Sequence, residues 1–243
     1  MEGNGKMAEY ENFPKSIAII MDGNRRWAKK NNLNTALGHK KGAETVEKIS
    51  RYCNKIGVKY LTVYAFSTEN WKRSKDEVTA LMIIFGKYLD RFLKNADYDN
   101  IKLKMVGDTH SDIVPKILQN KMENLEKQTE DNTGMQLNIC FNYGGRAEIV
   151  NATKKIAKKV KDGEIDIDDI DEKLFASNLY TVGTPDPDLL IRTSGELRTS
   201  NFLPWQITYS EFIFLDKFWP EFSEDDVDNC IKEYEKRQRR RGK

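Results

Sequence analysis

Six short apolar runs, rich in β-branched and aromatic residues, alternate along this chain with longer stretches of helical period, and that alternation restricts the fold more than any other feature. The runs are 16–21 (SIAIIM), 60–66 (YLTVYAF), 101–106 (IKLKMV), 136–141 (QLNICF), 189–192 (LLIR) and 211–215 (EFIFL). Their length and side chains favour strand over helix. Helical spacing covers 39–56, 75–95, 111–130, 146–161, 169–179 and 223–241. Strands alternating with helices build right-handed βαβ crossovers, so the expected fold is a single α/β domain with a central, mainly parallel six-stranded sheet flanked by helices. A chain of 243 residues can bury one substantial core. Neither a repeat nor a low-complexity linker divides it; 1–15 reads as a polar extension and 16–243 as the domain.

Charge and cysteine usage narrow the function classes. The net charge of +2 argues against a broad nucleic-acid surface, so the placement of the arginines matters more than their number. Cys53, Cys140 and Cys230 lie far apart and form no CxxC pair, which fits a reducing cytoplasm. The opening residues lack the apolar stretch of a signal peptide, and no run approaches the roughly 20 apolar residues needed to span a bilayer. The basic stretch 237–241 (RQRRR) is too small and too poor in aromatics for nucleic acid. Beyond a solvated face, its reading is transient peripheral attraction to an anionic membrane.

In an open parallel sheet, ligands gather at the carboxyl ends of the strands. Five polar motifs fall there: Asp22-Gly23-Asn24, Ser67-Thr68-Glu69-Asn70, Gly107-Asp108, Asn142-Tyr143-Gly144-Gly145-Arg146 and Thr193-Ser194-Gly195. One such turn means little; five on one edge indicate a site.

Three segments carry chemistry. In MDGNRRWA (21–28), a strand ends on Asp22, Gly23 permits a tight turn and a helix begins, with Arg25 and Arg26 as fixed positive charge. Helix N-termini and guanidinium groups attract phosphate, and a lone aspartate beside phosphates suits magnesium. Asp-Gly turns are common, so spacing alone leaves a plain capped turn equally open. In YAFSTENWKRS (64–74), Phe66 and Trp71 bracket Ser67, Glu69 and Asn70, with Arg73 beyond: an apolar wall beside hydrogen-bonding groups, or a strand end with Trp71 as core anchor. In LLIRTSGELRTSNFLPWQ (189–206), Arg192, Arg198 and Ser200 can converge on a polyanion if Gly195 turns the chain back. Glu211 opens the last run as a second candidate magnesium ligand.

Together with GHKKGAE, GDT, NYGGR and the SEF containing Glu211, these segments resemble the cis-prenyltransferase family in order over about 16–242. The resemblance implies condensation of isopentenyl diphosphate with an allylic diphosphate such as farnesyl diphosphate, dependent on magnesium, in a homodimer. The product it implies is undecaprenyl diphosphate, the cell-wall lipid carrier precursor; short-chain or branched products are the alternative. A non-catalytic subunit of a heteromeric enzyme is the alternative of another class, disfavoured because Asp22, Asn24, Glu69 and Asn70 are all present. By the same resemblance, Asp22 would hold magnesium, with the allylic diphosphate over Gly23, Asn24, Arg25 and Arg26. Arg192, Arg198 and Ser200 would grip isopentenyl diphosphate, and Glu211 would act across the dimer interface. His39 would contact phosphate. Phe66, Ser67, Glu69, Asn70, Trp71 and Arg73 would shape the reacting centre, with Trp27 and Thr68 also counted among the substrate-binding residues. Arg240-Arg241-Gly242 would reach the partner's site. Thr35 stands where many bacterial members have an arginine for the allylic diphosphate.

The prenyl tail needs an apolar bore. Val78, Leu81, Met82, Phe85, Leu89, Phe92 and Leu93 share one helical face; by spacing alone they read as an ordinary core face, and it is the resemblance that implies they line the bore, with Met135 at its floor. The acidic run 168–172 (DDIDE) partly matches the DDxxD of trans-prenyltransferases, but six strand signals contradict their all-α fold.

Overall fold

The computed structural model describes residues 12–237. In chain order the elements are β1 (Ser16–Ile20), α1 (Asn24–Lys30), α2 (Thr35–Ile56), β2 (Tyr60–Ser67), α3 (Lys75–Asp99), β3 (Lys102–Val106), α4 (Lys116–Gln128), β4 (Gln136–Tyr143), α5 (Gly145–Lys161), α6 (Glu172–Ala176), β5 (Leu189–Arg192), β6 (Glu211–Phe214) and α7 (Glu224–Lys236). The six strands form one sheet in the order β3-β4-β2-β1-β5-β6, and every pairing is parallel. The expected α/β domain is present, with a wholly rather than mainly parallel sheet.

Both faces of the sheet are covered, which is why its strands read as continuous apolar runs. Ile17 and Ile19 of β1 point into the larger core, shared with α2, α3, α4 and α7. Ala18 and Ile20 point into a smaller one with Phe202, Leu203 and Ile207.

Departures from the expected boundaries have local causes. α2 starts before position 39 because Asn34 caps it, accepting a 2.9 Å bond from the Leu37 N–H. α4 starts only after Pro115, whose ring and missing N–H suit a helix start. The helix expected over 169–179 shrinks to Glu172–Ala176 behind the Asp171 cap, with a 3-10 turn at Ile167–Asp169. β2 and β4 extend into residues that read as turn, pairing Ser67 with Tyr143 past a register shift. Residues 1–11 and 238–243, including Arg240-Arg241-Gly242 and most of the basic tail, lie outside the described residues.

The two glycines of GHKKG allow α1 to cross close over α2. A Cβ on Gly38 would stand 2.3 Å from the Asn24 carbonyl oxygen, and one on Gly42 would stand 2.3 Å from Asn24 Oδ1. Gly38→Ala therefore has backbone against it, and overpacking of this kind costs about 1–3 kcal/mol. Urea denaturation should show a loss of that size; an unchanged midpoint would mean the crossing is looser than described.

Candidate active site

β1 and β5 are neighbours, with Ile20 level with Arg192, so the residues just beyond their carboxyl ends meet. Arg192 Nη2 donates to Asp22 Oδ2 at 2.9 Å, and Arg26 Nη2 lies 3.2 Å from Asp22 Oδ1. Thr193 Oγ1 donates to the Asp22 carbonyl at 2.7 Å. Burial alone would raise the Asp22 carboxyl, but its hydrogen bond and charge interaction with Arg192, and then Arg26, hold it below the usual carboxylate range. Asp22 is therefore ionised at neutral pH. Gly23 takes a φ of 109°, and a Cβ there would come within 2.8 Å of the Phe218 ring; only glycine meets both demands.

A wide cleft of about 840 Å³ opens beside this pair, lined by Asp22, Gly23, Asn24, Arg25, Arg26, Lys29, Thr35, His39 and Arg73 among others. α1 is only seven residues long, so the attraction for an anion here comes from the guanidinium and ammonium groups more than from a helix dipole. Thr35 lines the cleft as expected for its place in the motif, and Lys29, which sequence reasoning passed over, adds a cation to the same wall. His39 is pushed down from its ordinary pKa by burial and by the Arg73 charge, against the opposing pull of Glu77. It is neutral at neutral pH and would meet phosphate as a hydrogen-bond donor. Glu77, also missed, accepts from Arg73 at 2.9 Å and stands 3.8 Å from Arg25. It directly follows Lys75 and Asp76 in a polar helix start, so nothing in its spacing singled it out.

A second cleft of about 250 Å³ brings together Asp22, Asn24, His39, Ser67, Asn70, Arg73, Arg192 and Ser200. Ser67 and Asn70 fix each other in a capping box, with the Ser67 N–H donating to Asn70 Oδ1 at 3.1 Å. Arg192 donates to Ser200 Oγ at 2.9 Å and also to the Arg198 carbonyl. The loop after β5 does turn back, as the glycine suggested. The Arg198 side chain is 62% exposed and paired with Glu196, which also takes Arg26 at 3.0 Å. A single carboxylate thus stands between two candidate phosphate ligands.

Other expected residues are placed differently. Glu69 lines neither cleft; it accepts from Asn201 Nδ2 at 2.9 Å and from Thr68 Oγ1 at 3.2 Å. Burial would raise its carboxyl, but the Asn201 bond, its own backbone and neighbouring hydroxyls bring it below the ordinary value. Trp71 packs edge-on against Phe66 and donates to Asn142 Oδ1 at 2.8 Å. With Thr68 it lines a separate hollow near Asp108. Trp27 is half-buried on α1 and lines neither cleft. Within one chain Glu211 is not near Asp22. It is level with Leu189 and hence Ile17, at the amino edge of the sheet, about 16 Å of strand rise from Asp22, and it pairs with Arg237 at 3.0 Å.

Behind the clefts lies an apolar cavity of about 100 Å³ between α2, α3 and the sheet, sharing Met21, Asn24 and His39 with the wide cleft. Leu81, Met82, Phe85, Leu89 and Phe92 line it, joined by Ile84, Tyr88, Val46, Val63, Ala65, Phe66, Ile139 and Phe141. Val78 and Leu93 do not line it, and Met135 is buried in the core away from its lining.

Among the described residues no group of three or more His, Cys, Asp or Glu side chains could hold a metal ion. Asp22 offers one ionised carboxylate beside a cationic cleft. That donor set fits magnesium, which is commonly held by one or two carboxylates with substrate phosphates supplying the remaining oxygens. It does not fit a metal caged by protein alone.

A parallel sheet whose carboxyl edge carries paired cationic clefts, opening onto an apolar cavity, defines a protein for ligands with an anionic head and a hydrocarbon tail. More specifically, the chain belongs to the Prenyltransf family, the undecaprenyl diphosphate synthases, which residues 20–242 match. It is 50% identical over 230 residues to the ditrans,polycis-undecaprenyl-diphosphate synthase ((2E,6E)-farnesyl-diphosphate specific) of Micrococcus luteus, an overlap of 95% of this chain and 92% of that one. To an isoprenyl transferase of Fusobacterium nucleatum it is 51% identical over 232 residues, covering 96% and 97%. Its fold superposes on the crystal structure of lavandulyl diphosphate synthase from Lavandula x intermedia, in complex with dimethylallyl diphosphate. The TM-score is 0.91 at 38% identity, over 95% of this chain and 99% of that one.

Proposed function

We propose that this protein is a cis-prenyltransferase that lengthens an allylic diphosphate, farnesyl diphosphate by preference, with isopentenyl diphosphate, giving undecaprenyl diphosphate. The observation that carries this reading is the junction at Asp22, where two cationic clefts meet above an apolar cavity. The allylic diphosphate takes the wide cleft, against Arg25, Arg26, Arg73 and His39, with its tail in the cavity. Isopentenyl diphosphate takes the second cleft against Arg192, Ser200 and Arg198, once Glu196 yields Arg198 to it. Two substrates held side by side gain the proximity advantage of an intramolecular reaction.

As the allylic C–O bond breaks, negative charge collects on the departing diphosphate, and Arg25 and Arg26 are aimed at it before the reaction begins. Magnesium, held by Asp22 and phosphate oxygens, would supply Lewis-acid neutralisation of the same charge. Ser67 and Asn70 face the reacting centre; an amide is a poor base, so a phosphate oxygen or a water takes the proton that ends each cycle. Glu211 stands at the opposite sheet edge from Asp22, on an outermost strand, which fits a role in the site of a second copy in a homodimer. No described helix is long and apolar enough to cross a membrane. A cytoplasmic enzyme that meets the membrane peripherally through its basic tail fits a lipid product, and liposome binding that survives removal of 237–243 would count against that contact.

The purified chain, given magnesium, isopentenyl diphosphate and farnesyl diphosphate, should yield longer prenyl diphosphates separated by one isoprene mass. Absence of any condensation product with every allylic primer would overturn the proposal. A single short or branched product would favour the activity named for the lavender relative instead. For Arg198→Ala the KM for isopentenyl diphosphate should rise about tenfold or more, the value of a charged hydrogen bond, with a smaller change in turnover. An unchanged KM would remove Arg198 from this role.

A further inference from the structure

At about 100 Å³ the apolar cavity is small beside the 300–1,000 Å³ typical of ligand pockets. A growing tail must therefore press on its far end, and what holds that end shut decides how long the tail becomes. The cavity runs between α2 and α3, which lie side by side. Its mouth is at His39 and Leu81, and the furthest lining residues along the two helices are Val46 and Phe92. Their sequence neighbours are Glu47 and Arg91, and these two tie the helices together: Arg91 Nε donates to Glu47 Oε2 at 2.8 Å. Glu47 Oε1 lies 3.1 Å from Arg51, whose Nε reaches Asp99 of α3 at 2.7 Å. The Glu47 side chain is only 7% exposed, while Arg91 is 55% exposed.

On the outer side of this cross-link lies a hollow of about 360 Å³ bounded by Glu44, Glu47, Lys48, Arg51, Tyr52, Lys55, Arg91 and Glu224; Tyr52 apart, every one of these side chains is charged, so a hydrocarbon entering it would have to displace their water. Resting on the proposed prenyl-transfer activity, we infer that the Glu47–Arg91 ion pair is the chain-length stop of the bore. A tail that passes Val46 and Phe92 has to part α2 from α3, break this pair and meet unpaired charge. The pair thus sets product length without touching the reacting atoms.

The test compares product masses from the intact enzyme with those from Arg91→Ala, Arg91→Glu and Arg91→Lys under the same substrate ratio, with circular dichroism to verify folding. Arg91 is half-exposed and lies far from both clefts, so the rate of the first condensation should stay within about twofold. Arg91→Ala should move the main product up by at least one isoprene unit, and Arg91→Glu, which sets two carboxylates against each other, further still. Arg91→Lys keeps the pair and should keep the original length. Lys55→Ala, in the same outer hollow but outside the pair, should change nothing. Folded Arg91→Ala and Arg91→Glu enzymes that give the original product overturn the inference, as does an equal shift in Lys55→Ala. If Arg91→Ala does not fold, Arg91→Lys and Arg91→Gln still decide it: the glutamine enzyme must lengthen its product and the lysine enzyme must not. A chain that condenses nothing in its unsubstituted form instead overturns the activity itself.

Discussion

Asp22→Ala is expected to lower turnover at least about a hundredfold while the chain remains folded. Among the described residues that line both clefts, Asp22 carries the one carboxylate, and losing charge stabilisation aimed at a transition state costs rates of this order. Substrate binding should suffer less than turnover, because Arg25, Arg26 and Arg192 stay in place. Asp22→Asn separates charge from shape: it can still accept from Arg192 but removes the ion pair, so stability should fall about as it does when the carboxyl is protonated, while activity falls almost as far as in Asp22→Ala. Steady-state kinetics with circular dichroism on both variants decides the matter. Near-normal turnover in either would show that Asp22 is a structural partner of Arg192 and nothing more.

Arg192→Ala should damage both the site and the fold. This guanidinium is 4% exposed at its side chain and joins Asp22, Ser200 and the Arg198 carbonyl. Removing one partner of a buried ion pair costs roughly 3–5 kcal/mol; Asp22 is only partly buried and keeps Arg26, so the lower end, about 3 kcal/mol, is expected. The ratio kcat/KM should fall about a hundredfold or more, and Arg192→Lys should recover little, because one ammonium cannot replace a fork that meets three acceptors. The acid side of the stability profile should also change. In the intact protein the Asp22 pKa is lowered in the folded state, so this group adds stability above its ordinary value of 3.8, lost as pH falls below that. Without Arg192, burial is opposed by Arg26 alone, so the carboxyl titrates higher than in the intact protein and stability should begin to fall at a higher pH. Denaturation midpoints measured between pH 3 and 7 would reveal the shift; identical profiles would show that Arg192 does not govern Asp22.

Much of this was legible before any coordinates. All six strands fall where β-branched runs placed them, because strands covered on both faces carry the densest apolar signal in an α/β chain. Asp22 and Arg192 could be named because they stand at the carboxyl ends of neighbouring parallel strands, Arg26 because it opens the helix just after Asp22, and Ser200 because the loop at Gly195 can fold back toward Arg192. What escaped was the partner chemistry across the chain. Glu77, Glu196 and Asn201 are ordinary polar residues by spacing, and only the fold shows that they hold Arg73, Arg26 with Arg198, and Glu69. The face of α3 was recognised, but periodicity could not separate Leu89, which lines the cavity, from Leu93 one turn on, which does not. Met135 was misplaced because a large apolar residue at a strand start fits a cavity floor and a packed core equally well. The glycines of GHKKG were visible only as a motif; their cause is the close crossing of α1 over α2.

The most direct measurement is a crystal structure of the protein with magnesium, isopentenyl diphosphate and a thio-analogue of farnesyl diphosphate that cannot ionise. Two diphosphates should lie on either side of Asp22, one against Arg25 and Arg26 and the other against Arg192 and Ser200, with the farnesyl tail between α2 and α3. A tail left in solvent, or head groups bound away from Asp22, would contradict the assignment of these clefts.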